Sequence, residues 1–517
     1  MFQCQPMLNS LTETKKFPTI GRAKMNLKNK VLVLLMLFAG NTNMAYAVQD
    51  FFAEANQRIE QHRKTDITVL VMDSNGQPVP NAQVEVEMQR HAFRWGTAVV
   101  ADRINSNSSI NSIYRQKILE NFNAVVFEND LKWPAWEGAW GPNLGWSQAE
   151  QALDWCDANN LRSRGHYLAW GTLSGIDGYG PGNPSNDPAQ IQGPLLDHIQ
   201  DKLDTVGTRI TEWDVINHPI GWGPTTYEDL FGDGYYSSIV EFARSMAPVG
   251  TELWMNEDSI LNGGPVANQY EQVLLNLEAF AAQPDGIGFQ GHFKSSWGRN
   301  LPDSHERMYT QMERFSGLVD RLQVTEFDID VGEFDSEGNL TNYDQQHHAQ
   351  LMTNYLISLF SHPKLEGVTM WGFWEGAHWL PTAALYNQDW TERPALQAYR
   401  DLVYGDWWTM ENGPTGSDGE YDVRGFKGDY LVRVTHDGTE HLQTAQFNSD
   451  SGQVVVVVPG TGMIGDVNMD GQINLLDVQP FIDLLSSGEY QFEADINQNG
   501  VVNLLDVGLF VELLSGG

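Results

Sequence analysis

The stretch T-E-W-D-V-I-N-H-P (211–219) runs as an apolar strand from Trp213 to Ile216 and ends on two polar residues, Asn217 and His218. The form repeats along the chain. E-N-D-L-K-W brings Glu128, Asn129, Lys132 and Trp133 after one apolar run, and G-H-Y-L-A-W brings His166 and Trp170. N-E-D follows at 256–258, and G-F-Q-G-H-F gives Gln290 and His292. V-T-E-F-D-I-D gives Glu326 and Asp328, and W-G-F-W-E-G-A-H-W gives Trp371, Trp374 and Trp379. Polar and aromatic residues at the same end of many strands describe a cleft for something polyhydroxylated. Hydroxyls need hydrogen-bonding partners, and pyranose faces stack on indoles. Within this set His218 has the chemistry of a group that gives and takes protons near neutral pH.

The elements that would hold these residues are legible as a rhythm. Strands are predicted at 93–99, 122–127, 162–169, 211–217, 251–256, 286–291, 321–328 and 367–373. Helical patterns such as A-E-Q-A-L-D-W-C and Q-L-M-T-N-Y-L-I-S-L-F separate them. Eight strands alternating with helices argue for an α/β protein built on a (β/α)8 barrel over 93–404, with its chemistry at the strand ends that open into loops. On either side lie short β segments. Residues 48–92 read as a helix and two strands around a D-S-N-G-Q-P turn, and 405–460 as further strands. Neither piece is large enough for a good core alone. The patterns D-S-N-G-Q-P-V-P-N-A-Q-V and D-G-E-Y-D-V-R-G-F-K-G-D-Y-L-V-R-V resemble two halves of one carboxypeptidase-regulatory-like β-sandwich. The expectation is that they pair across the inserted barrel; two separate β elements are the alternative.

The net charge of −36 argues against nucleic acid or an anionic membrane as partner, because phosphate contacts need clustered Lys and Arg. Residues 1–47 read as an export signal: Lys28 and Lys30 precede the apolar run V-L-V-L-L-M-L-F-A-G, and Ala45-Tyr46-Ala47 offers a cleavage site. Met25 is expected as the true start. No further run is long enough to span a membrane. The mature protein is therefore expected to be secreted. Of two cysteines, Cys4 would leave with the signal and Cys156 sits in a helical pattern as a packing residue, so no disulfide is expected.

The segment 464–517 holds an internal repeat. D-V-N-M-D-G-Q-I-N-L-L-D (466–477) returns as D-I-N-Q-N-G-V-V-N-L-L-D (495–506). Oxygen side chains at loop positions one, three and five, Gly at six and a carboxylate at twelve make a calcium loop. Asp466, Asn468, Asp470, Asn474 and Asp477 would serve one Ca2+, and Asp495, Asn497, Asn499, Asn503 and Asp506 a second. The first loop has more carboxylates and is expected to bind more tightly. Asp rather than Glu at position twelve, with one helix after each loop, resembles a type I dockerin. That resemblance implies a cohesin-bearing partner; a calcium-stabilised tail with no such partner is the other reading.

The ordered motifs F-N-A-V-V-F-E-N-D-L-K-W, G-H-Y-L-A-W, W-D-V-I-N, G-F-Q-G-H-F, V-T-E-F-D-I and V-T-M-W-G-F resemble those of family 10 glycoside hydrolases, the endo-β-1,4-xylanases. The resemblance spans roughly 90–404 and implies retaining hydrolysis of a xylan-type polysaccharide, with no cofactor for catalysis. It implies Glu326 as nucleophile, with His292 contacting it. Glu128, Asn129, Lys132, His166, Asn217 and Gln290 would hold sugars, Trp371 and Trp379 would form floor and wall, and Trp170 belongs to the same substrate-binding set. The family pattern W-D-V-x-N-E carries its general acid/base at the position occupied here by His218. Gly171 and Leu380 also depart from the pattern. Three readings follow: His218 acts as the acid/base; another carboxylate, among Glu228, Asp229, Glu257 and Glu375, takes its place; or the domain binds carbohydrate as a pseudoenzyme without turnover.

Overall fold

The computed structural model describes residues 50–74, 76–172, 188–220, 225–294, 304–335, 340–459 and 462–515. The export signal and most of the Gly/Pro-rich segment 171–188 lie outside them. The chain divides into Met1–Ala53, of which only helical residues 50–53 are described, and Glu54–Gly517. Among the described residues no helix is long and apolar enough to cross a membrane.

The strands, in chain order, are β1 Lys64–Asp73, β2 Gln83–His91, β3 Arg94–Val99, β4 Ala124–Phe127, β5 Arg162–Arg164, β6 Ala169–Trp170, β7 Glu212–Asn217, β8 Glu252–Glu257, β9 Gly286–Phe289, β10 His292–Lys294, β11 Leu322–Asp330, β12 Gly332–Phe334, β13 Leu340–Tyr343, β14 Leu365–Met370, β15 Met410–Pro414, β16 Glu420–Phe426, β17 Gly428–His436, β18 Thr439–Phe447 and β19 Ser451–Val458. The barrel sheet runs β5-β4-β3-β14-β11-β9-β8-β7-β6, with parallel pairing throughout. Because β5 and β6 are pieces of one stave, and Gly165 between them bridges Trp213 of β7, the sheet closes on itself. The staves are buried on both faces and read as near-continuous apolar runs, as parallel strands covered by helices must.

Two expected strands are interrupted. The one expected at 162–169 breaks where Gly165 lies flat against the indole of Trp213; a Cβ there would stand 2.2 Å from the ring. The one expected at 286–291 stops at Phe289 and resumes as β10, because Gly291 takes φ +82° and re-aims the chain.

Charge fills the starting ends of the staves. Arg94 reaches Glu366 at 2.9 Å and Glu212 at 3.1 Å, and Arg321 reaches Glu366 at 2.6 Å and Glu252 at 2.7 Å. Arg164 binds Glu212 and, at 2.5 Å, Asp214. These ion pairs occupy the starting ends of the staves, and the residues singled out in the sequence lie at the opposite ends.

The flanking β segments form two facing sheets, β16-β1-β19 and β15-β2-β17-β18, each mixing strands from before and after the barrel. β1 is antiparallel to β16 and parallel to β19, and β2 lies between β15 and β17. Alternate residues of β1 and β2 (Ile67, Val69, Val71; Val84, Val86, Met88) are buried, as strands with one face on a core require. Arg63, entering β1, donates to the carbonyls of Phe360 at 2.6 Å and Leu365 at 2.8 Å, which ties the sandwich to the last helix-to-strand turn of the barrel. Cys156 is buried, and burial pushes its thiol up to about 12, in keeping with packing rather than reactivity.

The C-terminal segment has its own small core of Val467, Phe481, Ala494, Val502 and Phe510, with Phe481 and Phe510 stacked at 4.2 Å.

Candidate active site and calcium loops

Glu326 stands near the end of β11, buried, with both carboxylate oxygens engaged. Oε1 accepts from Asn256 Nδ2 at 2.8 Å, and His292 Nε2 lies 3.1 Å from Oε2. The other face of the His292 ring meets Asp328 Oδ2 at 2.8 Å. Burial alone would lower the His292 pKa, but the bonds to Asp328 and Glu326 hold it up to about 10. Burial likewise works against ionisation of Glu326, yet the His292 bond leads the opposing influences and its pKa ends below the ordinary carboxylate value. Asp328 is held well down, against burial, by His378 and His292. Trp379 donates Nε1–H to Asp328 Oδ2 at 2.7 Å and leaves its ring 40% exposed.

His218 follows β7 directly, in the left-handed region at φ 58°. Its backbone N–H donates to Asn256 at 2.9 Å, which holds the turn in place. Nδ1 lies 2.9 Å from Glu257 Oε1, and Nε2 lies 2.9 Å from Gln290 Nε2. Glu257 is buried and also accepts from the backbone N–H groups of Ile220 and Asp258, both at 2.8 Å. Asn217 Oδ1 accepts from Asn256 at 3.0 Å and from Gln290 at 3.1 Å. The Trp170 ring packs on His218 at 4.5 Å.

Gly171 lies against this turn. Its N–H donates to Asn217 at 2.7 Å, and a Cβ there would stand 2.5 Å from the His218 carbonyl oxygen. The departures at 171 and 218 are thus one local arrangement: the backbone of 218–219 fills the space a side chain at 171 would need.

His166 contacts Asp214 at 2.8 Å and Trp371 at a ring distance of 5.1 Å; Trp371 also neighbours His292 at 6.4 Å. Burial raises the Glu128 pKa, opposed by Lys132 and by His378 from the eighth-strand loop, so this loop faces the same cleft. Of the four substitute carboxylates, only Glu257 meets His218. Glu228 accepts from Gly234 N–H at 3.0 Å, Asp229 caps its own helix at Thr226, and Glu375 pairs with Arg393 at 2.9 Å. Sequence reasoning missed the part of Asn256, which bridges Glu326 and Asn217, and of Asp214, which orients His166. A charged residue inside the apolar run W-D-V-I was the available signal for Asp214.

The two C-terminal loops share one framework of hydrogen bonds. Asp466 accepts from Asp470 N–H at 3.1 Å and Gly471 N–H at 2.8 Å, and Asp495 from Asn499 at 3.0 Å and Gly500 at 2.7 Å. Asp477 accepts from Asn468 N–H at 2.9 Å and Asn474 N–H at 2.8 Å; Asp506 does the same with Asn497 at 3.0 Å and Asn503 at 2.9 Å. Asn468 and Asn497 repeat a turn bond to residues 470 and 499, and Asn474 and Asn503 cap the helices that follow. Among the described residues no three acidic, His or Cys side chains are already gathered for a metal. The donor set nonetheless fits a hard cation. Asp466, Asp477, Asp495 and Asp506 are buried, and no Lys, Arg or His occurs after His441 to balance them.

Comparison with known proteins agrees with this architecture. Residues 85–402 match the model of glycosyl hydrolase family 10, and 464–513 match the type I dockerin domain. Anti-sigma-I factor RsgI6 of Acetivibrio thermocellus is 29% identical over 401 residues, covering 77% of this chain and 49% of that protein. Endo-1,4-beta-xylanase 1 of Arabidopsis thaliana is 25% identical over 406 residues, covering 78% of this chain and 40% of that protein. The chain thus spans about half the length, or less, of these relatives. The crystal structure of xylanase 10B from Thermotoga petrophila in complex with xylobiose shares the fold at a TM-score of 0.52 and 20% identity, over 61% of this chain and 95% of that one. A (β/α)8 barrel with these strand-end residues, matched over most of its length by one family, makes this chain a member of glycosyl hydrolase family 10 that also carries a type I dockerin domain.

Proposed function

We propose that the protein is a secreted retaining glycoside hydrolase acting on a β-1,4-linked, xylan-type polysaccharide, with Glu326 as nucleophile and His218 in the place of the acid/base. The observation that carries this is the state of Glu326: an ionised carboxylate held between Asn256 and His292 in a cleft of indoles and amides. Retaining hydrolysis needs such a group to attack the anomeric carbon. Glu128, Asn129, Lys132, His166, Trp170, Asn217, Gln290, Trp371 and Trp379 are assigned to sugar binding. Relatives named as endo-1,4-beta-xylanases support the choice of polysaccharide. The test is reducing-sugar release from xylan by the purified protein beside its Glu326→Ala variant. Release that vanishes in the variant is expected; equal release from both overturns the assignment.

A second reading, a carbohydrate-binding protein that has lost turnover, is favoured by the occupation of His218 Nε2 by Gln290. It requires xylan to be retained in a pull-down with no sugar released. For the C-terminal domain the proposal is two Ca2+ ions, one per loop, and attachment to a cohesin-bearing partner. Leu475, Leu476, Leu504 and Leu505 stand 68–82% exposed beside the loops, an apolar surface suited to a protein partner.

A further inference from the structure

The side-chain amides around Glu326 form a chain whose direction can be followed residue by residue. An ionised Glu326 only accepts, so Asn256 must turn Nδ2 toward it, at 2.8 Å. The other side of that amide agrees: Asn256 Oδ1 accepts from Thr325 Oγ1 at 2.6 Å. The second N–H of Asn256 then points at Asn217, which must present Oδ1, at 3.0 Å. Gln290, 3.1 Å from the same Oδ1, must present Nε2. That Nε2 is the atom 2.9 Å from His218 Nε2, so the imidazole nitrogen is the acceptor. On the opposite side of the ring Glu257 accepts from two backbone N–H groups and faces Nδ1, which is therefore the donor. Both directions agree on one species: neutral His218, with its proton on Nδ1 and its lone pair on Nε2. A proton on Nε2 would face the N–H of Gln290, donor against donor.

We propose that His218 serves this site as a general base and not as a general acid, with Glu257 as its positioning residue, so that the preferred substrate is a xylan-type chain joined to a phenol. This rests on the assignment of Glu326 as nucleophile. In the first step a Glu326 oxygen forms a bond to the anomeric carbon and the bond to the phenolic oxygen breaks. The phenolate leaves with the electron pair and takes its proton from solvent. An alkoxide of a second sugar is a far poorer leaving group, so without an acid its release is slower by the scale of general-acid catalysis. In the second step water replaces Gln290 at His218 Nε2. The imidazole takes a proton from the water as its oxygen attacks the anomeric carbon and the bond to Glu326 breaks. The imidazolium so formed is stabilised by Glu257 and returns its proton to solvent.

The experiment compares 4-nitrophenyl β-xylobioside with xylotriose, which offer the same glycone and different leaving groups. The aryl substrate is expected to have a kcat/KM at least about 10²-fold higher, the scale of general-acid catalysis. A ratio within tenfold overturns the proposal. With 2,4-dinitrophenyl β-xylobioside the second step limits turnover, so Glu257→Gln should lower kcat tenfold or more and leave kcat/KM unchanged. Azide, a nucleophile that needs no base, should restore kcat, and should do so in His218→Ala as well. Equal loss of kcat and kcat/KM, or no rescue in either variant, overturns the role. A 2-deoxy-2-fluoro analogue of the dinitrophenyl substrate separates the two layers. No covalent adduct on Glu326 removes the hydrolase assignment itself, whereas an adduct with equal aryl and xylotriose rates removes only the base-only inference.

Discussion

Glu326 and His292 hold opposite charges because Asp328 and Glu326 together keep His292 protonated, and His292 in turn favours the Glu326 carboxylate. His292, raised to about 10, keeps its proton through the neutral range, and the stability this pair contributes follows from that. The histidine's contribution is fully present below its unfolded pKa near ~6.5 and is lost as pH rises through about 10. For Glu326 the sign is reversed: its contribution is present above the ordinary carboxylate value and lost as pH falls through a lower one. The pH profile of kcat/KM should therefore keep its acid limb below the usual carboxylate range. In His292→Gln the partner charge is gone and that limb should move upward, which a profile from pH 3 to 8 would register; an unmoved limb would contradict the pairing. Several site residues were legible in the sequence because each is a polar residue closing an apolar run. Their pairings were not. Asn256 meets Glu326, and Glu257 meets His218, across separate staves of the barrel, and no spacing within one motif encodes a neighbour on the next strand.

The third and fourth staves show how elements set the site. Gly171 and His218 are far apart in sequence and in backbone contact in the fold. Gly171→Ala should displace the turn at 218–219 and cost about 1–3 kcal/mol by overpacking, with loss of turnover. Thermal melting with an activity assay reads both, and an unchanged melting point with full activity would refute the coupling. Deeper in the same staves, Arg164 pairs with Glu212 and Asp214 in full burial. Arg164→Met removes the buried cation shared by both carboxylates, leaving Arg94 and Gln323 to Glu212 and His166 to Asp214, and urea unfolding should report a loss of about 3–5 kcal/mol. The alternation of strands and helices was readable from hydrophobic period. The breaks at Gly165 and Gly291 were not, because they follow from what presses on the strand rather than from the strand's own residues.

At the scale of the molecule, the dockerin segment and the barrel have separate cores. Chelation should therefore melt 464–517, seen as loss of helical circular dichroism in that segment, and leave the barrel's unfolding transition in place; an unaltered spectrum with chelator would exclude the calcium fold. The repeat was legible because seven of twelve loop positions are identical in both copies, and the shared hydrogen-bond framework follows from those positions. The sandwich was legible only as two incomplete halves, since neither carries enough apolar surface to predict its own partner. Its interleaving sets the order of events during synthesis. β1 and β2 leave the ribosome first, yet every strand they pair with begins at Met410 or later. At about 5–20 residues per second, roughly 320 residues separate β2 from its first partner, so the nascent chain carries two unpaired apolar strands for roughly 16–64 s. Those two strands are the part of this protein that most needs shielding before translation ends.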